Sequence, residues 1–192
     1  MKNKAWLYII ARPFISIWFR VCYRVRSHNK KVIPKNGRVI FCGNHRHAFD
    51  QFPVCLSTFR TIHWMAKKEY FDSKFGWFFR AVGCISVNRE IHDEEAKSEA
   101  RWVLENDKAL GLFPEGTRNK TDKDLMDFKF GAVSLAKKTN SPIIPFAITG
   151  NYKLFRKTNV YFAEPFYIGD MTLEEANKKL RDIILKLYKE HK

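Results

Sequence analysis

Two short segments of this sequence carry side chains able to move a proton and hold an anion. The first is Gly43-Asn-His-Arg-His-Ala-Phe-Asp50, in which His45 and Asp50 stand five residues apart. Five residues is about 140° around an α-helix, so the two cannot share a face within one. They meet if His45 lies in a loop and Asp50 in the first turn of the helix that follows. A carboxylate on one imidazole nitrogen then fixes the tautomer and leaves the other nitrogen, made more basic, to take a hydroxyl proton; no serine or cysteine nucleophile is required. Three other readings of these residues stay open: a hydrogen-bonded structural histidine at His45, a zinc or iron site of His45, His47 and Asp50, and a nucleic-acid contact through Arg46 and its basic neighbours. Against the last two, His28, His63, His92 and His191 lack the context of further metal ligands, and no recognisable RNA- or DNA-binding motif is present. The second segment is Leu112-Phe-Pro-Glu-Gly-Thr-Arg-Asn119. Pro114 and Gly116 set a turn, and Arg118 offers the planar fork of donors that suits a phosphate. Glu115 is placed to hold that arginine or to touch a substrate, and the alternative is a strand-exit turn with a solvated arginine.

The elements that must position these residues follow from the apolar runs. Short buried strands are expected at 38–43, 62–66, 84–87, 109–113 and 143–148, alternating with helices near 48–59, 68–82, 93–107 and 128–139. That alternation is the pattern of an α/β domain, a largely parallel central sheet flanked by helices. Both chemical segments then fall just after strands, where open parallel sheets present side chains to ligands. A closing amphipathic helix is expected over 172–189, opened by the capping box of Thr172 and Glu175.

At 192 residues the chain has the length of one folded unit, and its net charge of +15 calls for an anionic partner: nucleic acid, a membrane or a phosphorylated substrate. The charge is uneven, since eleven lysines and arginines precede the first acidic residue, Asp50. Four scattered cysteines (Cys22, Cys42, Cys55 and Cys84) form no CxxC pair, which predicts reduced thiols facing a cytosol and neither a zinc site nor a disulfide framework. Residues 1–32 are set apart as a membrane-associating helix and basic segment, and 33–192 as the catalytic domain. Arg12 and Arg20 interrupt the N-terminal apolar run, so a simple membrane-spanning helix is not expected. On a helix Arg12, Ser16, Arg20 and Arg24 make a narrow polar stripe beside a wide face of Trp6, Ile10, Phe14, Ile17, Trp18 and Val21. That pattern suits a helix lying in a bilayer interface, with the following basic run gaining about 1 kcal/mol per charge near an anionic leaflet. The competing reading is an amphipathic helix packed on the protein's own core.

His45-x4-Asp50 followed about seventy residues later by Phe113-Pro-Glu-Gly-Thr-Arg118 resembles the glycerolipid acyltransferases of the 1-acylglycerol-3-phosphate acyltransferase type. Ala66-Lys-Lys-Glu-Tyr-Phe71, Gly83-Cys-Ile-Ser-Val-Asn-Arg89 and Pro142-Ile-Ile-Pro-Phe-Ala-Ile148 are similar to further blocks of that family, over about 33–166. The resemblance implies that His45 is a general base assisted by Asp50 and that a lysophospholipid hydroxyl attacks a thioester of acyl carrier protein or coenzyme A. It further implies that Glu115, Gly116, Thr117 and Arg118 bind the acceptor phosphate, with Arg89 and Lys68 as secondary candidates. Phe71, Phe75, Phe78 and Phe79, on one face of a single helix, are candidates to line an acyl tunnel, although core packing also suits them. No metal and no bound cofactor are implied, no nucleic acid is expected, and the place of action is the cytoplasmic face of the cell membrane. Glycerol 3-phosphate or another lysophospholipid are the alternative acceptors. The sequence departs from the family pattern at His47 and Asn119, where serine is common, and at Asn88, where aspartate is common.

Overall fold

Val39–Gly43 forms a strand, β2, in which every residue is buried. Val39 and Phe41 enter one apolar cluster, and Ile40 and Cys42 enter another on the opposite face. A strand covered on both sides reads as an unbroken apolar run, as parallel sheets require. The computed structural model describes residues 5–91 and 93–192, so Lys2, Lys4 and His92 lie outside the described residues.

Around β2 stand β1 (Arg26–His28), β3 (Ile62–Lys67), β4 (Ile85–Val87), β5 (Ala109–Leu112), β6 (Ile143–Gly150) and β7 (Thr158–Phe162). They make one seven-stranded sheet in the order β1-β7-β6-β2-β5-β3-β4. All pairings are parallel except that of β6 with β7. The five expected strands are present. The two additional ones, β1 and β7, are short and lie towards one edge, where polar residues such as Arg26, Ser27 and Asn159 are tolerated. Their extended structure therefore left no apolar run to find.

Among the described residues, seven α-helices accompany the sheet: α1 (Trp6–Cys22), α2 (Gln51–Ser57), α3 (Lys68–Asp72), α4 (Gly76–Ala81), α5 (Glu94–Glu105), α6 (Gly131–Thr139) and α7 (Leu173–His191). Residues of α5, α6 and α7 build the cluster on one face, while α2, with Tyr8 of α1, packs against the other. The Thr172–Glu175 capping box opens α7 as expected. The single helix expected over 68–82 is instead two, because the chain turns at Ser73–Phe75 with Gly76 N–H donating to Ser73 O. Phe71 and Phe75 consequently leave the shared face: Phe71 is buried, and Phe75 is exposed.

Helix α1 is amphipathic in the expected register, and its apolar side points outward. Trp6, Ile10, Phe14, Ile17, Trp18 and Val21 are all exposed, with Phe14 at 72%. The polar stripe faces the protein: Arg12 donates to Thr58 O at 2.6 Å and Arg20 to Leu56 O at 3.4 Å. Those carbonyls belong to the C-terminal end of α2, where acceptors lack intrahelical donors and a cation is favoured. The reading of α1 as a helix whose apolar face packs on the core is therefore overturned. Among the described residues, no helix is long and apolar enough to cross a membrane.

A second histidine is embedded in the fold. His63 on β3 is buried, its Nδ1 sits 2.8 Å from Gly83 O, and burial lowers its pKa below the ordinary 6.5. The unfolded chain therefore binds a proton more readily than the folded one as the pH falls below 6.5. The stability present above that value is lost as pH descends through the lowered folded pKa. Thermal melting followed from pH 8 to 5 should show this decline in the wild type and a flatter profile in His63→Asn; parallel profiles would assign the decline to other groups.

Candidate active site

The parallel neighbours β4, β3, β5 and β2 all release their chains at the same edge of the sheet. Cys42 pairs with Leu112, which sets the segment after β2 beside the segment after β5. The last residue of β2 must be glycine, because the Phe146 ring occupies the space a Cβ at Gly43 would need, only 2.1 Å away. Asn44 then fastens the loop: its amide donates to Ile148 O at 2.9 Å and accepts from Ile148 N–H at 2.7 Å.

His45 and Asp50 meet as expected, with Nδ1 2.9 Å from Oδ2. Asp50 immediately precedes α2 and is buried. The same Oδ2 accepts the backbone N–H groups of Arg46 and His47, each at 2.7 Å, while Oδ1 accepts the Tyr152 hydroxyl at 3.0 Å. Four donors therefore converge on one carboxylate. Burial and the neighbouring carboxylate push the Tyr152 phenol well above its ordinary pKa, so it remains a donor. The charge on Asp50 selects the Nδ1–H tautomer of His45 and leaves Nε2 as the nitrogen available to a substrate.

An aromatic column holds the imidazole. Its ring stacks on Phe113 at 4.0 Å with 9° between planes, and Phe113 stacks on Trp64 at 5.0 Å and 19°. Trp64 fits against β5 because residue 111 is glycine; a Cβ there would lie 2.6 Å from the indole. Neither Phe113, Trp64, Asn44 nor Tyr152 carries a sequence signal for this role. Tyr152 lies 102 residues from its partner, so only the fold reveals the contact.

The second segment divides its tasks. Glu115 was expected among phosphate-binding residues, but it is buried and both oxygens are engaged, Oε1 accepting His45 N–H at 2.8 Å and Oε2 accepting Met126 N–H at 2.9 Å. It ties the His45 loop to the chain beyond β5. Burial raises its carboxyl pKa, with the two amide bonds opposing. Asn119 N–H adds a bond to His45 O at 2.6 Å, while its side chain braces Thr121 and Lys123. Departure from serine at this position thus gives a loop support.

Two cavities reach His45 from opposite faces of the sheet. One, of about 560 Å³, lies under α1, α2 and α4, and Thr117, Arg118 and Arg89 border it together with Phe78 and Phe79. The other, of about 470 Å³, runs between α5 and α6 and is bordered by Gly116, Asn88 and, again, Arg89. Lys68 borders neither and faces a third cavity with Phe71 and Arg80. His47 also borders neither: its ring stacks on Tyr152 at 4.5 Å, and Nδ1 accepts Phe49 N–H. Among the described residues, no group of three His, Cys, Asp or Glu side chains is arranged to hold a metal ion.

Comparison with known proteins places this geometry among relatives. The family model described as Acyltransferase matches residues 24–149. A 1-acyl-sn-glycerol-3-phosphate acyltransferase of Bacillus subtilis is 28% identical over 163 residues, which span 81% of this chain and 80% of that protein. One from Cocos nucifera is 30% identical over 169 residues, spanning 81% of this chain and 54% of the plant protein, so the chain matches about half the length of that longer relative. The crystal structure of the 1-acyl-sn-glycerophosphate (LPA) acyltransferase of Thermotoga maritima matches with a TM-score of 0.76 at 24% identity, covering 99% of this chain and 83% of that one. That likeness establishes a shared fold.

Proposed function

This chain belongs to the Acyltransferase family, and from that premise we propose that it acylates the free hydroxyl of 1-acylglycerol 3-phosphate, giving phosphatidic acid. The acyl donor in this proposal is a thioester of acyl carrier protein or coenzyme A. The observation that carries the reading is the His45–Asp50 pair, 2.9 Å apart, standing where two cavities meet.

His45 Nε2 accepts the hydroxyl proton as the acceptor oxygen bonds to the thioester carbonyl carbon. The resulting tetrahedral adduct collapses with cleavage of the carbon–sulfur bond, and the departing thiolate takes the proton from the imidazolium. Asp50 stabilises the transient imidazolium and holds the ring orientation. Proton transfer by this pair needs no bound cofactor. The acyl chain lies in the cavity lined by Phe52, Leu56, Phe78 and Phe79, and Arg118 meets the acceptor phosphate beside it.

The outward apolar face of α1 supports a seat on an anionic membrane, with Arg24, Arg26, Lys30 and Lys31 following it. Four free cysteines fit its cytoplasmic face.

The test is acyl transfer from labelled acyl-CoA and acyl carrier protein to a panel of lysophospholipids and glycerol 3-phosphate on vesicles. Preferential transfer to 1-acylglycerol 3-phosphate supports the reading. Preference for another acceptor corrects the substrate, and no transfer to any of them removes the activity. In the same assay Arg118→Ala should raise the acceptor KM about tenfold or more, since a hydrogen bond to a charged group is worth about 1.5–3 kcal/mol. An unchanged acceptor KM and kcat/KM would take Arg118 out of the phosphate site.

A further inference from the structure

The cavity between α5 and α6 is left unused by a lipid acceptor and an acyl chain that both occupy the α1 side of the sheet. Three of its features identify a ligand. It begins at His45, where Phe113 and Met65 separate it from the apolar cavity on the other face. Small side chains line this slot, Ala96 and Ala100 of α5 with Ala132 and Ser134 of α6, so little side-chain bulk fills the space between the two helices. Its borders are cationic, with Lys129 at the inner end near Gly116 and Arg101 and Lys138 farther along the helices.

The acidic residues along the slot are already engaged. Asp93 accepts from Asn88 N–H at 2.7 Å and from Ala96 N–H at 2.9 Å, and Glu94 pairs with Lys97 at 3.2 Å. No carboxylate among the described residues is paired with Arg101, Lys129 or Lys138, so the slot presents uncompensated positive charge. Both helices start at the edge of the sheet that bears His45, and from Gly131 to Lys138 the slot extends by about 10 Å at 1.5 Å per residue.

We infer that this slot holds the 4′-phosphopantetheine arm of the acyl donor, with its phosphate among Arg101 and Lys138. The inference rests on the acyl-transfer reading and assigns the donor a path over the sheet edge: acyl chain on the α1 face, thioester at His45, arm on the α5–α6 face. Position favours the donor over the lipid acceptor, because the slot lies on the sheet face opposite α1 and its exposed apolar side. A water-soluble thioester reaches that side without crossing the surface that meets lipid. Coenzyme A and acyl carrier protein share this arm, so either can supply it.

Gly131 provides a way to block the slot without disturbing the fold, since a Cβ built there meets nothing within 4 Å. Gly131→Trp and the pair Arg101→Glu with Lys138→Glu are compared with the wild-type chain, each with its melting temperature checked. Calorimetric titration with coenzyme A and with 4′-phosphopantetheine reads binding, and steady-state kinetics with acyl-CoA and acyl carrier protein reads donor and acceptor KM separately. The expected result is a tenfold or greater loss of affinity for both probes and an equal rise in donor KM, with acceptor KM within twofold of wild type. A rise for only one of the two donors names the source of the arm. Unchanged affinity in both variants, no binding of either probe by the wild type, or a rise in acceptor KM alone would overturn the inference. Absence of acyl transfer by wild type that still binds the probes in a Gly131-dependent way would remove the acyl-transfer reading while leaving the slot its ligand.

Discussion

Replacing His45 by alanine should lower turnover by at least about 10²-fold with little change in the acceptor KM, because positioned general-base catalysis contributes about 10²–10⁴. The ring is partly buried against Phe113 and bonded to Asp50, but the loop that carries it is held independently by Asn44, Glu115 and Asn119. His45→Ala should therefore remain folded, and its vesicle binding should match the wild type. Asp50→Asn should give a comparable loss of kcat for a different reason. An amide placed beside Nδ1 no longer requires the Nδ1–H tautomer and no longer offsets the imidazolium charge. It also disturbs four hydrogen bonds, so a lower melting temperature accompanies the loss. Undiminished turnover of His45→Ala in the panel assay would sink the mechanism, whatever the acceptor.

The second large effect is expected at the surface of α1. Phe14 and Trp18 are 72% and 59% exposed on the side turned away from the protein, so Phe14→Ser with Trp18→Ser removes no core contact. If these rings enter a bilayer, each contributes about 1.5–3 kcal/mol by leaving water, and the pair about 3–6 kcal/mol. Sedimentation with anionic vesicles should then show about a 10²- to 10⁴-fold weaker partition with an unchanged melting temperature. Raised salt should weaken the wild type as well, because the basic residues after α1 are screened. Equal vesicle binding by the double variant would show that the apolar face of α1 is not what holds the protein to lipid.

Several parts of this architecture were legible in the residues alone because their causes are local. The five apolar runs became strands because an unbroken stretch such as Val39–Gly43 can be satisfied only between two covered faces. The capping box opening α7 works within four residues, so reading it required no tertiary knowledge. His45 and Asp50 were readable as a pair because the strand-to-helix turn between them is also a local event. The break between α3 and α4 was less accessible, since Phe71, Phe75, Phe78 and Phe79 keep a helical spacing even where the backbone does not.

The residues alone thus specify the parallel α/β frame, the place of the His45–Asp50 pair on it, and the amphipathic period of α1. Periodicity specifies that a helix has two sides but says nothing about which side meets the protein. That choice was made where Phe19 buries against Phe49 and Phe52 while Arg12 and Arg20 donate to the carbonyls of Thr58 and Leu56 at the end of α2, which leaves the face of Phe14 and Trp18 turned out. Tertiary structure likewise made Glu115 a loop support, because a buried carboxylate is stable only where donors such as the His45 and Met126 amides converge on it. It also brought Tyr152 to Asp50 and set two cavities on either side of His45, contacts between segments distant in sequence for which neither composition nor spacing leaves a trace.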